Sequence, residues 1–233
     1  MITQQTQTRR LTIAKPLGKH YVPAWKRILD TTAVLIAAPL WLPISVFVAI
    51  LIKSSSPGPV LFIQERVGLR GRRFNCYKFR TMRWNVDQNV HQKYTTDLMR
   101  SNRPMTKIDS VGDPRVIRFG AMLRTMGLDE LPQIINILKG DMSLVGPRPC
   151  LPYEYDNYLP WHKHRFHGLP GLTGLWQVTG KNRTTFDEMV TLDVKYLRSA
   201  SPWLDLTIIL KTLPAILMQV LECKAERDQP RRK

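Results

Sequence analysis

Residues 31–52 form an uncharged, apolar segment, and no other part of the sequence is expected to cross a lipid bilayer. A helix needs about 20 apolar residues to span the hydrocarbon core, so the length is just sufficient. Pro39 and Pro43 lie near the middle of the segment, and each removes a backbone donor and clashes with the preceding turn. The segment therefore predicts a membrane helix that is broken or kinked near these prolines.

Basic residues flank this segment on both sides, with Lys26 and Arg27 before it and Lys53 after it. A helix that spans once usually carries more Lys and Arg on one side. A helix–break–helix that enters one leaflet and returns accounts for both the prolines and the flanks. The residues alone leave two topologies open, a re-entrant helix and a proline-kinked span.

The sequence is strongly basic, with 35 Lys and Arg residues against 18 Asp and Glu residues and a net charge of +17. This excess predicts an anionic partner: nucleic acid, an anionic lipid surface or a phosphorylated substrate. The sequence carries no nucleic-acid-binding motif and no basic, aromatic-rich face, so no nucleic-acid partner is expected. The 3 cysteines are widely spaced and lack metal-ligand spacing, which favours reduced cytoplasmic thiols.

A β-hairpin is predicted after the apolar segment, with strands over residues 60–66 and 72–82 and a turn at residues 68–71. Residues 83–112 are polar and irregular, which is typical of a mobile loop. Helical spacing of apolar residues then predicts helices over residues 116–126, from 129–132 up to Gly140, and over 188–198. Residues 203–221 are apolar and contain Pro214, and they fit either a helix lying flat on a membrane or an ordinary core helix.

Asp129 and Glu130 lie just before Pro132, at a predicted helix start. Acidic residues at such a position often only complement the helix dipole. The alternative is a carboxylate kept ionised beside backbone N–H groups that also hold a phosphate. Such a carboxylate can attack phosphorus and form an acyl phosphate.

Arg148 lies between Pro147 and Pro149, which restrict the backbone on both sides. A rigidly presented guanidinium suits bidentate phosphate binding, although a structural turn with an exposed arginine fits the same residues. A pyrophosphate substrate needs several positive groups or a metal to stabilise the transition state. The further candidate phosphate ligands are Lys78, Arg80, Arg115 and Arg124.

Residues 170–182 form a glycine-punctuated loop in which backbone can approach a ligand closely and Trp176 can stack on a base or anchor at lipid headgroups. The loop matches neither phosphate-loop fingerprint. The spacing of His162, His164 and His167 fits no known zinc pattern, so no metal is expected there. An inactive, basic membrane scaffold would explain the charge and the apolar segment, but not the acidic pair or the clamped Arg148.

Together these segments resemble the bacterial sugar transferase family, the monotopic phosphoglycosyl transferases. The matching pieces follow the family order and cover roughly residues 25–220: residues 26–30, 56–60, 77–82, 113–116, 128–133, 140–149, 170–182 and 192–196. The short form with one membrane segment looks most like the exopolysaccharide-initiating galactosyl- or glucosyl-1-phosphate transferases.

The resemblance implies a two-step reaction. Asp129 attacks the β-phosphorus of a UDP-sugar and releases UMP, and undecaprenyl phosphate then attacks the phosphoryl-aspartate. The family pattern also implies Mg²⁺, with Asp129 and Glu130 as its expected ligands, galactose or glucose as the sugar, and Gln177, Lys181 and Asn182 as nucleotide-sugar contacts.

The resemblance further implies an α+β, mainly helical fold, with a re-entrant membrane helix and a compact cytoplasmic catalytic domain at the inner membrane of a bacterium. The expected parts are a flexible basic tail over residues 1–24, the re-entrant helix over 25–53, a catalytic domain with interfacial helices over 54–223, and a basic tail over 224–233. Membrane lipids are expected partners, and a homo-oligomer is left open.

Four positions depart from the family pattern. A serine is usual before the membrane-break proline, but Leu42 precedes Pro43 and Ala38 precedes Pro39. Gly127 stands where a serine is common, and Lys181 replaces a usual arginine. The last change puts one phosphate or nucleotide contact in doubt.

Overall fold

The computed structural model describes residues 22–83, 115–180 and 184–228, together with positions 97, 99 and 101, and side chains are described up to residue 221. Most of the two predicted tails and of the loop over residues 83–112 lie outside the described residues, as do Lys181 and Asn182.

The described chain is mostly helical and contains a small antiparallel hairpin, which confirms that part of the predicted fold. The helices are α1 (Ala24–Ile36), α2 (Ala38–Ser55), α3 (Gly120–Thr125), α4 (Gln133–Lys139), α5 (Pro152–Asp156), α6 (Leu175–Gly180), α7 (Phe186–Ser199) and α8 (Pro202–Asp228). The strands are β1 (Leu61–Val67), β2 (Arg73–Phe79), β3 (Ser143–Val145) and β4 (Gly171–Thr173).

Strands β1 and β2 form the predicted hairpin, in which Leu61 pairs with Phe79 and Val67 pairs with Arg73. Strands β3 and β4 form a second, parallel sheet that the sequence did not predict. Close backbone contact explains the glycine in β4, because a Cβ on Gly171 would lie 2.0 Å from the backbone nitrogen of Gly146. The glycines of this region therefore serve strand pairing.

The apolar segment is a helix–break–helix, as the prolines predicted. The break falls at Ala37, and Pro39 lies in the first turn of α2, where proline is tolerated because its missing N–H would have no partner. Pro43 lies inside α2 and does not end it. The indole N–H of Trp41 donates to the carbonyl of Val34 at 3.0 Å, which ties α2 back to the end of α1.

Helix α8 carries an apolar stripe on one face and is docked on the other. The exposed residues recur every three or four positions: Trp203, Leu206, Leu210, Leu213, Leu217 and Leu221. On the opposite face Asp205 and Ile208 are buried, and Gln219 donates to the carbonyl of Thr125 at 3.1 Å. α8 also continues to Asp228, into the segment expected to be a tail.

Two helices among the described residues are long and apolar enough to cross a membrane, Ala38–Ser55 and Pro202–Leu221. The expectation that residues 31–52 were the only such segment is therefore wrong. Asp205, Lys211 and Pro214 made the second segment look less suitable from sequence.

Charged residues at the start of α1 attach this helix to the rest of the molecule. The ammonium of Lys26 is buried, and it donates to Asp205 Oδ2 at 2.5 Å and to the hydroxyl of Tyr196 at 2.8 Å. The Tyr196 hydroxyl in turn donates to Asp205 Oδ1 at 2.6 Å. One turn further along α1, the fully buried Asp30 accepts from the backbone N–H of Leu144 at 3.0 Å.

We expect Asp205→Ala to lower the free energy of unfolding by about 3 kcal/mol, because it leaves the buried Lys26 ammonium without its carboxylate. The loss lies at the low end for breaking a buried ion pair because the Asp30 carboxylate remains in the field of Lys26. Denaturation of the detergent-solubilised protein, followed by circular dichroism, measures it.

Glu65→Ala is the matched control, because the Glu65–Arg73 pair has side chains that are 49% and 59% exposed. Its loss should stay below about 1 kcal/mol. Equal losses for the two variants would contradict a structural role for the buried network.

Candidate active site

Asp129 and Glu130 lie on a separate turn that precedes α4. After α3 the chain reverses at Gly127, whose φ of 70° favours glycine, and it then forms a 3-10 turn over Leu128–Glu130. The N-cap of α4 is Pro132. The carboxylates therefore stand ahead of the helix start at which the sequence placed them.

Two backbone amides of this turn are engaged within it. The N–H of Glu130 donates to the carbonyl of Gly127, and the N–H of Leu131 donates to the carbonyl of Leu128. These donors are already used, so they cannot hold a phosphate as a helix-start geometry would suggest. The cap position of α4 is taken by Pro132 and not by either carboxylate.

Cationic side chains surround the two carboxylates. Lys78 on β2 donates to Glu130 Oε1 at 2.9 Å, and both side chains are only partly exposed. Asp129 lies in the field of Lys78 and of Arg124 on α3. Burial, followed by the neighbouring charge of Glu130, raises the pKa of Asp129 to about 6, while the two cations oppose the shift. Most Asp129 side chains are therefore still ionised at neutral pH.

Arg148 has the rigid backbone that its two prolines predicted. The carbonyl of Arg148 accepts from Arg165 at 3.0 Å, and the carbonyl of Pro149 accepts from Arg66 at 3.2 Å. Its guanidinium has no hydrogen bond or ion pair within the part of the chain that the structure describes. A half-buried cation of this kind can accept an anionic ligand.

Arg66 on β1, which is only 7% exposed, is a buried cation that the sequence motifs did not single out. Burial lowers its pKa, as does the nearby charge of Arg148, and the charge of Glu130 acts in the opposite direction. Arg66 therefore binds the Arg148 segment at the Pro149 carbonyl, and the charge of Glu130 affects it only weakly. In a chain with 35 basic residues, one arginine on a strand gives no signal of its own.

The structure gives Arg80 a different environment from that of a phosphate ligand. Its buried guanidinium donates to the carbonyls of Ser56 and Pro57, so it fastens the loop that leaves α2. A Cβ on Gly58 would lie 2.3 Å from this guanidinium, which explains the glycine. This arrangement favours a structural role for Arg80.

The remaining candidates are spread around the domain. Arg115 lies beside the bridge between Met82 and Val116, and its carbonyl accepts from the N–H of Arg83 at 2.7 Å. Gln177 is half-buried on α6. The proposed stacking or lipid contact of Trp176 is not supported, because this side chain is buried in a core cluster with Phe186.

The described residues contain no group of three or more His, Cys, Asp or Glu side chains placed to hold a metal. His162 is buried against Asp187, with 3.2 Å between Nε2 and Oδ1, and it accepts from the N–H of Leu159. The carboxylate oxygens of Asp129 and Glu130 fit Mg²⁺ by their chemistry. Two carboxylates alone would need substrate oxygens or water to complete the coordination.

Known proteins are similar to this chain over most of its length. The model of the family described as bacterial sugar transferase matches residues 21–219. The galactosyl transferase CpsE of Streptococcus agalactiae is 43% identical over 197 residues, covering 83% of this chain and 42% of that protein. The exopolysaccharide production protein ExoY of Rhizobium meliloti is 37% identical over 83% of this chain and 85% of its own length.

The UDP-glucose:undecaprenyl-phosphate glucose-1-phosphate transferase of Caulobacter vibrioides is 39% identical over 220 residues, covering 91% of this chain and 77% of that protein. The chain thus spans less than half of CpsE and most of the other two relatives. The resemblance drawn from the sequence motifs is confirmed. Because the family model covers nearly the whole described chain, from α1 into α8, this protein belongs to the bacterial sugar transferase family.

Proposed function

We propose that this protein transfers a sugar-1-phosphate from a UDP-sugar to undecaprenyl phosphate and releases UMP, as the first membrane step in the synthesis of an exopolysaccharide or related glycan. The names of its relatives support the substrate classes, with glucose or galactose as the sugar. The observation that carries the proposal is the acidic pair Asp129 and Glu130 placed among cations, with Lys78 bonded to Glu130 at 2.9 Å.

In the first step, a carboxylate oxygen of Asp129 attacks the β-phosphorus of the UDP-sugar. The bond from that phosphorus to the oxygen bridging to the α-phosphate breaks, and UMP leaves with the bridging oxygen. Lys78 and Arg124 hold positive charge beside the attacking group, and Arg148 contributes a guanidinium to the phosphate. The product is a sugar phosphate bound to Asp129 as an acyl phosphate.

In the second step, a phosphate oxygen of undecaprenyl phosphate attacks the same phosphorus. The bond between Asp129 and phosphorus breaks, which restores the carboxylate and gives a lipid-linked sugar diphosphate. Glu130 is held by Lys78, so its charge is partly neutralised where an anionic lipid must approach. Mg²⁺ on Asp129, Glu130 and substrate phosphate would neutralise further charge.

The membrane arrangement that we propose is re-entrant, on the cytoplasmic face of the inner membrane. Lys26 ties the start of α1 to the catalytic domain, and Val48 and Ile52 near the end of α2 pack against Phe79 and Leu123 of the same domain. Both ends of the segment thus contact one globular unit. The apolar side chains around the break point outward, and these are Leu35, Ile36 and Leu40.

We propose that α8 lies at the membrane interface. Its buried face is bonded to the domain along much of the described helix, from Asp205 to Gln219. A helix surrounded by lipid could not keep these contacts, whereas a helix lying in the interface buries its apolar stripe in lipid and its other face in protein.

Labelling tests the covalent intermediate. Protein incubated without lipid acceptor and with a UDP-sugar labelled in the sugar should retain label, and peptide mapping should place it on Asp129. Asp129→Asn should abolish labelling because an amide is not a nucleophile, whereas the matched Glu130→Gln should still be labelled. Label on Glu130, or a labelled Asp129→Asn variant, would overturn the mechanism. Undiminished labelling in EDTA would overturn the proposed requirement for Mg²⁺.

The pKa of Asp129 predicts how the rate of the first step decreases at acid pH. Because the ionised carboxylate attacks, the labelling rate should be level above about pH 7 and fall about tenfold per unit well below pH 6. Glu130→Gln removes a like charge and releases Lys78 from its ion pair, so the midpoint should move to lower pH. Rapid-quench labelling across pH measures both profiles, and an identical midpoint in the two proteins would contradict this account.

Accessibility of engineered thiols tests the topology. In a variant with Cys76, Cys150 and Cys223 replaced by serine, we expect cysteines at the exposed Ala24 and Ser54 to resist a membrane-impermeant thiol reagent added outside intact spheroplasts. Both should react in inverted membrane vesicles. Reaction at one position from outside would instead establish a full span.

A further inference from the structure

A buried ion pair contacts the backbone of Arg148 and has no role in the proposed reaction steps. Arg165, in the 3-10 turn His162–His167, is bonded to Asp193 on α7, and both side chains are 1% exposed. Removing two such charges from water is costly, and a well-packed apolar pair is often as stable. The pair therefore calls for an explanation beyond stability.

The contacts of this pair converge on the backbone of Arg148. The Nη2 atom of Arg165 donates both to Asp193 and to the carbonyl of Arg148, while its Nη1 atom donates to the hydroxyl of Tyr158 at 3.0 Å. Burial raises the pKa of Asp193, and the charge of Arg165 and the backbone N–H of Arg148 oppose this shift. Both polar backbone groups of Arg148 thus face the ion pair.

The neighbouring residues are held from other directions. The carbonyl of Pro147 accepts from the N–H of Gly171 at 2.8 Å, and the carbonyl of Pro149 accepts from Arg66. The two prolines have no N–H, so Arg148 supplies the only backbone donor of these three residues, and their carbonyls depend on outside groups. Three separate parts of the fold each bind one of its three consecutive carbonyls.

In contrast to its backbone, the side chain of Arg148 is not held in place, since its guanidinium makes no hydrogen bond or ion pair with any described residue. We propose that Arg165 and Asp193 are positioning residues, which fix the backbone of Arg148 so that its free guanidinium meets the substrate diphosphate. This inference rests on the proposed function. A displacement of about 1 Å at such a group can reduce a rate about 100-fold.

A double-mutant cycle tests the coupling. Asp193→Asn keeps the shape of the side chain and removes its charge, and we expect it to lower kcat/KM for the UDP-sugar by at least about tenfold in the otherwise native protein. In an Arg148→Lys background, the same change should lower kcat/KM by less than about threefold, because the planar fork that needs positioning is already absent.

Asp205→Asn is the matched control, because it also breaks a buried ion pair but touches α1 instead of Arg148. Its effect should be the same in both backgrounds. Equal effects of Asp193→Asn in both backgrounds would overturn the proposal and leave the pair a purely structural role. Thermal unfolding of each variant establishes that the rates refer to folded protein.

If Asp193→Asn does not fold, Arg165→Lys replaces it in the same double-mutant cycle with Arg148→Lys. It preserves a positive charge for Asp193 but loses the planar guanidinium, whose Nη2 atom donates to the carboxylate and to the Arg148 carbonyl while Nη1 donates to Tyr158. We expect the same dependence on Arg148, with thermal unfolding establishing that the variant is folded.

Binding of inorganic pyrophosphate, measured by calorimetry on the same variants, separates this inference from the proposed function. If the native protein turned over no UDP-sugar, the proposed function would fail, and the positioning would still be read from pyrophosphate affinity. If Asp193→Asn weakens pyrophosphate binding only when Arg148 is present, the positioning role is supported. Affinity that is independent of Arg148, or equally weakened in both backgrounds, overturns it.

Discussion

The buried network around Lys26 is the interaction on which the arrangement of this protein depends. An ammonium taken out of water must keep its carboxylate partner, so Asp205 and Tyr196 fix where α1 can lie. The next residue, Arg27, donates to the carbonyls of Ile137 and Leu138 at the end of α4. Since α4 is about 10 Å long and begins four residues after Asp129, the same few residues set the active site close to the membrane helix.

This closeness suits the reaction that we propose. A nucleotide sugar comes from water, whereas a polyprenyl phosphate keeps its chain in lipid, so the nucleophile must stand where both can reach it. In the proposed reaction, Lys78, Arg124 and Arg148 supply positive charge for the phosphates, and the ion pair with Glu130 keeps Lys78 in place beside Asp129. The apolar faces of α2 and α8 complete a surface that fits an interface between water and lipid.

Local features of this fold could be predicted from the sequence, because they depend on neighbouring residues. Gly127 and Gly140 adopt the positive φ values that end α3 and α4, and the hairpin follows its predicted strands closely. The parallel sheet could not be predicted, since β3 and β4 are short and distant in sequence. The environments of Arg66, Arg80 and Trp176 likewise depend on distant contacts, because a charged or aromatic side chain on a short element can face either solvent or core.

The nucleotide product distinguishes transfer of a sugar phosphate from transfer of the sugar alone. Protein in detergent or nanodiscs should be given a panel of UDP-sugars, including UDP-glucose and UDP-galactose, with a short polyprenyl phosphate. The account predicts steady release of UMP that requires the lipid, in equal amount to a lipid-linked sugar diphosphate, with at least one sugar. Release of UDP would show transfer of the sugar without its phosphate, and either that result or the absence of UMP with every sugar would contradict the account.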